Sequence, residues 1–580
     1  MKKKKTLLAI LSCAAALLVT GCGKSVSKSD LNSVKAPDES SSKVETTTTS
    51  SQKEDEKPKE DKIPDIPDQT IIGSGMTYTK FSSTKEAEDG KLSGGAKVAA
   101  TRKDYHGKGY VTGIKTKDQW SVEFDLPQSQ YYHVGIVLAS DEAKKNGIVC
   151  DGKKLSDFTT TGNGQFEIIT VLNCYIEQGK HTVTIEIPDE KLDIDYCFMT
   201  ASEDIAKLDL TLKDPALSNK NSDDNAKALY NYICSVYGKS VLLAQHDTVS
   251  ATLESDMMYK TTGKHPAIRF GDLMNITDKD SAEIMQKELS CAEKYAEQGG
   301  IVAYMWHWNA PSDKSSCYIA ETDFDLAKAV TEENIAQKSI EELEKLAADK
   351  KISPQCLALI KDMDTAAQTL ASLRDKGIPV IWRPLHEASN GYFWWGKDAK
   401  SYKWLWKLMY TRYTAYHKLN NLIWVWSAQS GEWYVGNDMC DMLSVDIYTE
   451  NDEDSAVANL VYLQRISRNK PAAITECGNF PSIQNIADRK AYWSFIGQWG
   501  ANYVLKTDGT LSQEHNTEKA LQLMYNNNLT ITREKLPLPA KMKEDLQKQE
   551  QLAKEKAEKE KAEKEKKEKE KAASSSSKAE

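Results

Sequence analysis

At 580 residues, about 40% of them apolar, the chain is too long for one ordinary domain and rich enough to build more than one core. Its formal net charge of -9, from 76 Lys and Arg against 85 Asp and Glu, excludes the basic footprint of a nucleic-acid binder. Two folded domains with polar tails are expected, in a monomer.

The chain opens on MKKKKTLLAILSCAAALLVTGC, a basic start followed by an apolar stretch and small residues before Cys22. The stretch falls short of the roughly 20 residues that span a bilayer and is flanked as export signals are, so residues 1–21 read as a signal peptide. The VTGC segment resembles the lipobox of bacterial lipoproteins. That resemblance implies lipidation at Cys22 and attachment to the outer face of a cell membrane through a lipid only, with secretion as the alternative. Residues 22–75 are Ser, Thr, Lys, Glu, Asp and Pro with little to bury, and read as a disordered linker. Of the eleven cysteines, those outside the signal and the lipobox form no CxxC pair and no cluster with His at metal spacing. They read as small buried apolar residues, with no disulfide expected.

Residues 76–204 carry short alternating or β-branched runs, WSVEFDL, YYHVGIVLA, FEIITVLNCYI and HTVTIEI, separated by turn residues. This is the pattern of an all-β sandwich, expected as a jelly roll. After a linker at 205–220 the texture changes to apolar strand-like runs alternating with helical patterns over 221–535. Eight such runs can be placed, at 240–247, 265–273, 300–308, 378–387, 421–428, 442–449, 471–478 and 501–509. Eight βα units make a (β/α)8 barrel. The Lys/Glu-rich tail, 536–580, lacks an apolar seam and reads as a solvated helix or a disordered end.

In such barrels chemistry sits at the C-terminal ends of the strands. There the runs end in His246 and Asp247, Asp272, His307, His386 and Glu387, Asp446 and Tyr448, Glu476, and Asp508. Glu387 on the fourth run and Glu476 on the seventh face one another across the barrel mouth, the arrangement glycoside hydrolysis needs from its two carboxyls. Each could instead merely pair with a cation such as Arg383. Aromatic side chains crowd the same rim: Tyr392, Phe393, Trp394 and Trp395 beside Glu387, with Trp306, Trp308, Trp424, Trp426 and Trp433 at other strand ends. Sugar C–H faces stack on such rings, although some of these must fill the rim.

WRPLHE followed by FWWG, with MWHWNAP upstream and VDIYT and AITECG downstream, resembles glycoside hydrolase family 26, whose typical member is an endo-β-1,4-mannanase. The resemblance implies a retaining enzyme with Glu387 as acid/base and Glu476 as nucleophile. It also implies a β-mannan-type polysaccharide as partner and no cofactor for catalysis. Tyr448 matches the family's tyrosine that hydrogen-bonds the nucleophile and His307 the histidine lining the sugar site, while Tyr392 stands where members usually carry Trp. Trp306, His386, Arg383, Tyr392, Trp394, Trp395 and Trp426 complete the expected substrate-binding set. An endo-β-1,3-1,4-glucanase or β-1,3-xylanase of the same family is the neighbouring alternative, and a non-catalytic surface glycan-binding protein the one from another class. In the β-domain KEAEDGKLSGG, GKGYVTGI, WSVEFDLP and LDIDYCFM resemble a carbohydrate-binding module of family 35. That resemblance implies a structural calcium held by Glu86, Glu88 and Asp195.

Overall fold

The computed structural model describes residues 63–115, 119–186, 191–449 and 453–576. The signal peptide expected at 1–21 and Cys22 lie outside the described residues. No described helix is long and apolar enough to cross a membrane.

The alternating runs form two antiparallel sheets. One orders its strands Lys97–Ala99, Tyr110–Thr112, Asp193–Ala201, Gln130–Ala139 and Glu167–Ile176, with Ser82–Glu86 also paired to Asp193–Ala201. The other orders Lys91–Leu92, Trp120–Leu126, Gly179–Glu186, Lys145–Cys150 and Lys153–Thr159. In WSVEFDL, Trp120, Val122, Phe124 and Leu126 are buried while Ser121, Glu123 and Asp125 turn outward, the period of two that a half-buried strand imposes. Those inward side chains share one core with Val134, Ile136, Leu138, Ile148, Val183 and Met199 from both sheets.

The second domain is a closed parallel barrel of eight strands: β1 Val241–His246, β2 Ile268–Asp272, β3 Ile301–Met305, β4 Val380–Arg383, β5 Leu422–Trp426, β6 Met442–Ile447, β7 Ala472–Cys477 and β8 Phe495–Gln498. Closure is through β1, which pairs with both β8 and β2. The chain enters β4 from helix Pro354–Asp375, started by Ser353, whose hydroxyl accepts from the Cys356 N–H, and by Pro354 at its first position. It leaves that helix through Gly377, whose φ of 71° few other residues adopt. Alternation again decides the layers. Leu242, Ala244, Ile268, Phe270, Ile301, Ile381, Ile423, Val425 and Phe495 fill the barrel, while Leu243, Val302, Trp382, Trp424, Trp426 and Leu443 pack with the surrounding helices.

Three expectations need correction. The eighth strand is Phe495–Gln498, not 501–509: Gly500 breaks the run, residues 501–503 form a single 3-10 turn, and Asp508 caps a surface turn through Thr510. The linker joins the fold from residue 63 rather than 76. Gln69 pairs with the Asn526–Asn528 loop, donating to Asn526 O at 2.9 Å and accepting from Asn528 N at 3.0 Å, and Asp68 meets Lys535 at 2.7 Å. Backbone hydrogen bonds of this kind need no apolar side chains, so composition does not reveal them. The C-terminal helix, Pro539–Ser576, is not wholly solvated: Met542 and Leu546 pack on the cluster that includes helix Asp224–Val236. The nine described cysteines are free thiols, six of them buried, while Cys174, Cys234 and Cys291 are partly exposed.

Candidate active site

β4 stops at Arg383, so Glu387 stands four residues beyond its strand rather than at its end. Both Leu385 and Glu387 adopt φ of 52°, a left-handed conformation that costs a non-glycine residue energy and persists only where packing over-determines it. Here the Glu387 N–H donates to Ser427 O at 2.7 Å, and Asn390 N donates to Glu387 O at 3.0 Å. Glu387 as a whole is 8% exposed. Burial, followed by the negative charges of Asp446 and Glu476, raises its pKa well above the carboxylate range.

Glu476 lies within β7, level with Asp446 of β6. Its Oε1 receives Arg383 Nη1 at 2.5 Å and its Oε2 receives the Tyr448 hydroxyl at 2.6 Å. Burial pulls the pKa of Glu476 up, but the Arg383 charge, His246 and the Tyr448 hydrogen bond outweigh it, and the carboxyl stays below its ordinary range. The two carboxyls are therefore pushed in opposite directions.

Arg383 is fully buried, with its second Nη on Asp446 and 3.3 Å from Ser427 Oγ. Its guanidinium is spent on two carboxylates, which corrects its assignment as a sugar contact. Asp446 in turn accepts from Thr475 Oγ1 at 2.7 Å and from Ser427 Oγ at 3.0 Å. Gln429 brackets the Asp446 peptide, accepting from its N–H at 3.2 Å and donating to its carbonyl at 3.0 Å.

The histidines form a second chain. Asp272 accepts from His307 Nδ1 at 2.6 Å and raises its pKa against the downward pull of burial. His307 Nε2 meets His386 Nε2 at 3.2 Å. His386 is held far below the usual imidazole range by burial and by Arg383, so it is neutral and accepts this bond. Burial likewise pushes His246 down to about 4, and its Nε2–H donates to Thr475 O at 2.8 Å. His386 is only 1% exposed and faces His307.

The aromatic assignments divide. Trp306, Trp394, Trp395 and Trp426 are at most 1% exposed and offer no face to a ligand. Trp426 sits between the inward Val425 and Ser427, so alternation turns it toward the helices. Trp394 and Trp395 donate from Nε1 to the carbonyls of Trp308 and His386 at 2.6 and 2.8 Å, and Trp306 stacks on Trp308 at 4.1 Å. All four build the wall. Tyr392 and Tyr448 remain half-buried, and His307 is 4% exposed. Trp499 lies outside the run expected at 501–509, because the eighth strand ends at Gln498. It follows β8 directly and packs beside His246 and His307, with ring centroids 5.0 and 6.0 Å away. Its signal was an indole one residue past FIGQ. Asp247, also at a strand end, belongs elsewhere: it pairs with Arg269 at 3.0 Å in a buried ion cluster with Glu288.

In the antiparallel domain the three acidic residues singled out meet around His106 and Gly107. Asp195 accepts from His106 N at 2.9 and 3.0 Å, Glu86 meets His106 Nδ1 at 2.6 Å, and Glu88 accepts from Lys108 N at 2.8 Å. Glu86 Oε2 and Glu88 Oε2 are buried with no hydrogen-bond partner. A Cβ at Gly107 would come within 2.8 Å of both carboxylates. Burial pushes Asp195 up to about 6, its neighbours Glu86 and Glu88 adding to the rise. An all-oxygen set with orphaned acceptors fits a hard cation.

The sequence model of glycosyl hydrolase family 26 matches residues 218–535. A mannan endo-1,4-beta-mannosidase of Thermothelomyces thermophilus is 30% identical over 465 residues, covering 78% of this chain and 90% of that protein. Among solved structures, a ruminal GH26 endo-beta-1,4-mannanase is 23% identical with a TM-score of 0.56, over 80% of this chain and all of that one. The beta-mannanase of a symbiotic protist of the termite Reticulitermes speratus, complexed with gluco-manno-oligosaccharide, is 28% identical with a TM-score of 0.50, over 57% of this chain and 99% of that one.

Proposed function

The chain belongs to glycosyl hydrolase family 26, and on that premise we propose that it is a retaining endo-β-1,4-mannanase acting on mannan, glucomannan or galactomannan. The observation that carries this reading is the opposed pair of carboxyls. Glu387, kept protonated by burial and by nearby negative charge, gives its proton to the leaving glycosidic oxygen. Glu476, kept ionised by Arg383 and oriented by Tyr448, attacks the anomeric carbon. Bond formation neutralises Glu476 and so removes one of the charges that raise Glu387. Glu387 then becomes acidic enough to act as the base that activates water in the second step. The activities of the relatives, mannan endo-1,4-beta-mannosidase and beta-mannanase, support the mannan backbone as substrate. Reducing-sugar release from glucomannan, mixed-linkage β-glucan and β-1,3-xylan, measured side by side, is expected to be fastest on glucomannan. Faster release from either of the others would reassign the substrate.

We assign the antiparallel domain as a carbohydrate-binding module of family 35, in a jelly-roll sandwich, with calcium held by Glu86, Glu88 and Asp195. The cation would tie the start of strand Ser82–Glu86 to strand Asp193–Ala201. A calcium-selective chelator should then lower the melting temperature of the module's transition in the full chain while leaving mannanase activity unchanged. Glu88→Gln should remove that sensitivity, and an unchanged melting curve in chelator would refute the assignment. The lipobox reading adds an enzyme held by Cys22 at the outer membrane face, working on polymer too large to enter the cell.

A further inference from the structure

A second polar cluster lies in the antiparallel domain, away from the barrel and from the three acidic residues discussed above. Strand Lys145–Cys150 turns into Lys153–Thr159 through Asp151 and Gly152, both left-handed with φ of 49° and 80°. The neighbouring strand Gly179–Glu186 pairs with the first of these so that Val183 stands opposite Cys150. His181, two residues back on the same face, is thereby brought to the turn. The Asp151 carboxylate is anchored there: Oδ1 accepts from Thr182 N at 2.7 Å, and the Asp151 N–H donates to Thr182 O at 2.9 Å. Its Oδ2 lies 2.6 Å from His181 Nδ1 and accepts from the Cys150 thiol, whose Sγ is 4.0 Å away. Among the described residues this is the one group of three His, Cys and carboxylate side chains whose ligand atoms all lie within 4.8 Å of one another.

The second ring nitrogen of His181 limits what can stand between the ring and the carboxylate. Nε2 is 2.9 Å from Glu177 O. A carbonyl can only accept, so Nε2 carries a proton. In a neutral imidazole Nδ1 then presents a lone pair to a carboxylate lone pair at 2.6 Å, which is repulsive. Either a second proton or a cation must sit between them. A metal-bound histidine with its other N–H on a backbone carbonyl has this same outer arrangement. The thiol supplies the third donor and selects the metal, because sulfur, imidazole and carboxylate together suit a zinc-type ion rather than calcium.

We infer that Cys150, Asp151 and His181 form a binding site for a zinc-type divalent cation, with its fourth position open to solvent. Tetrahedral bonds of zinc length would separate Sγ from Oδ2 by roughly 3.6 Å and Nδ1 from Oδ2 by roughly 3.4 Å. The first gap needs to close slightly and the second to open by less than 1 Å, within reach of side-chain rotation at a site where Asp151 is 48% exposed and His181 13%. The site would clip the turn to the central strand of its sheet. Burial holds the Cys150 thiol up at about 12, so binding must displace its proton, and affinity rises with pH. Sequence spacing hid this cluster, because His181 lies thirty residues beyond Asp151 and is joined to it only by strand pairing.

The test uses the full chain, stripped of metal by dialysis and titrated with cobalt(II) as a spectroscopic stand-in and then with zinc chloride. One cobalt per chain should bind with a thiolate-to-metal charge-transfer band, zinc should displace it, and zinc should raise the melting temperature of the module's transition. Cys150→Ser should lose the band, and His181→Ala should weaken cobalt binding at least tenfold, both with mannanase activity unchanged. A wild-type chain with no band, or a band that survives in Cys150→Ser, would leave only a His181–Asp151 ion pair and overturn the proposal. Far-ultraviolet circular dichroism of both variants distinguishes a lost site from a lost fold.

Discussion

Glu476→Ala is expected to lower kcat on every β-mannoside by between about 10^4- and 10^6-fold, the scale seen when a covalent catalyst loses its nucleophile. The size follows from the site. Arg383 and Tyr448 both direct their donors at Glu476, and neither can replace the bond it forms. Removing the carboxylate also leaves the fully buried Arg383 with Asp446 as its remaining carboxylate partner, so the variant should melt at a lower temperature as well. The chemical and structural effects separate by rescue. A small anion such as azide can occupy the vacated space and should restore measurable turnover, giving a product of inverted configuration detected by NMR. Tyr448→Phe provides the scale: it removes one hydrogen bond to a charged group, about 1.5–3 kcal/mol, and should cost roughly 10- to 10^2-fold in kcat. A loss for Glu476→Ala no larger than that for Tyr448→Phe would mean that another group attacks.

Glu387 and Glu476 could be singled out from sequence as candidates because each follows an apolar run of strand length, and barrel topology brings such ends to one mouth. Less visible was how each is held. Glu387 owes its position to two left-handed residues after β4, a conformation that neither Leu385 nor Glu387 favours and that packing imposes. Arg383 read equally well as a sugar contact or an ion-pair partner, since one residue name fits both, and only its burial between Asp446 and Glu476 separates them. The tryptophans failed for a related reason. Abundance of aromatic residues near a strand end does not say which face they take, and the period of two turns Trp426 outward into the helical layer. Phe495–Gln498 offers only four residues, too short an apolar run to mark the eighth strand, and Trp499 stands just beyond it. In the antiparallel domain the clean alternation of WSVEFDL made the sheet readable, whereas the pairing that joins His181 to Asp151 has no local signature.

Glu387→Ala is expected to fail selectively. On mannan the departing sugar alcohol needs a proton, and loss of the general acid should cost about 10^2- to 10^4-fold in kcat/KM. On an aryl mannoside with an acidic phenol the first step needs no proton, so glycosylation should stay within about tenfold of wild type. Deglycosylation then lacks its base, and a burst of phenol followed by slow turnover is the expected trace. The pH profile gives the independent check. The pKa of Glu387 is raised by burial and by Asp446 and Glu476, so its proton, and activity with it, is lost as pH rises through that raised value. Glu476 is held below its ordinary value, so the nucleophile is lost only as pH falls through that depressed value. Wild type should therefore show a broad bell whose alkaline limb belongs to Glu387 and whose acid limb belongs to Glu476. Glu387→Gln, assayed on the activated aryl mannoside, should keep the acid limb and lose the alkaline one. An alkaline limb that persists in Glu387→Gln, or equal losses on good and poor leaving groups, would remove Glu387 from the role of acid.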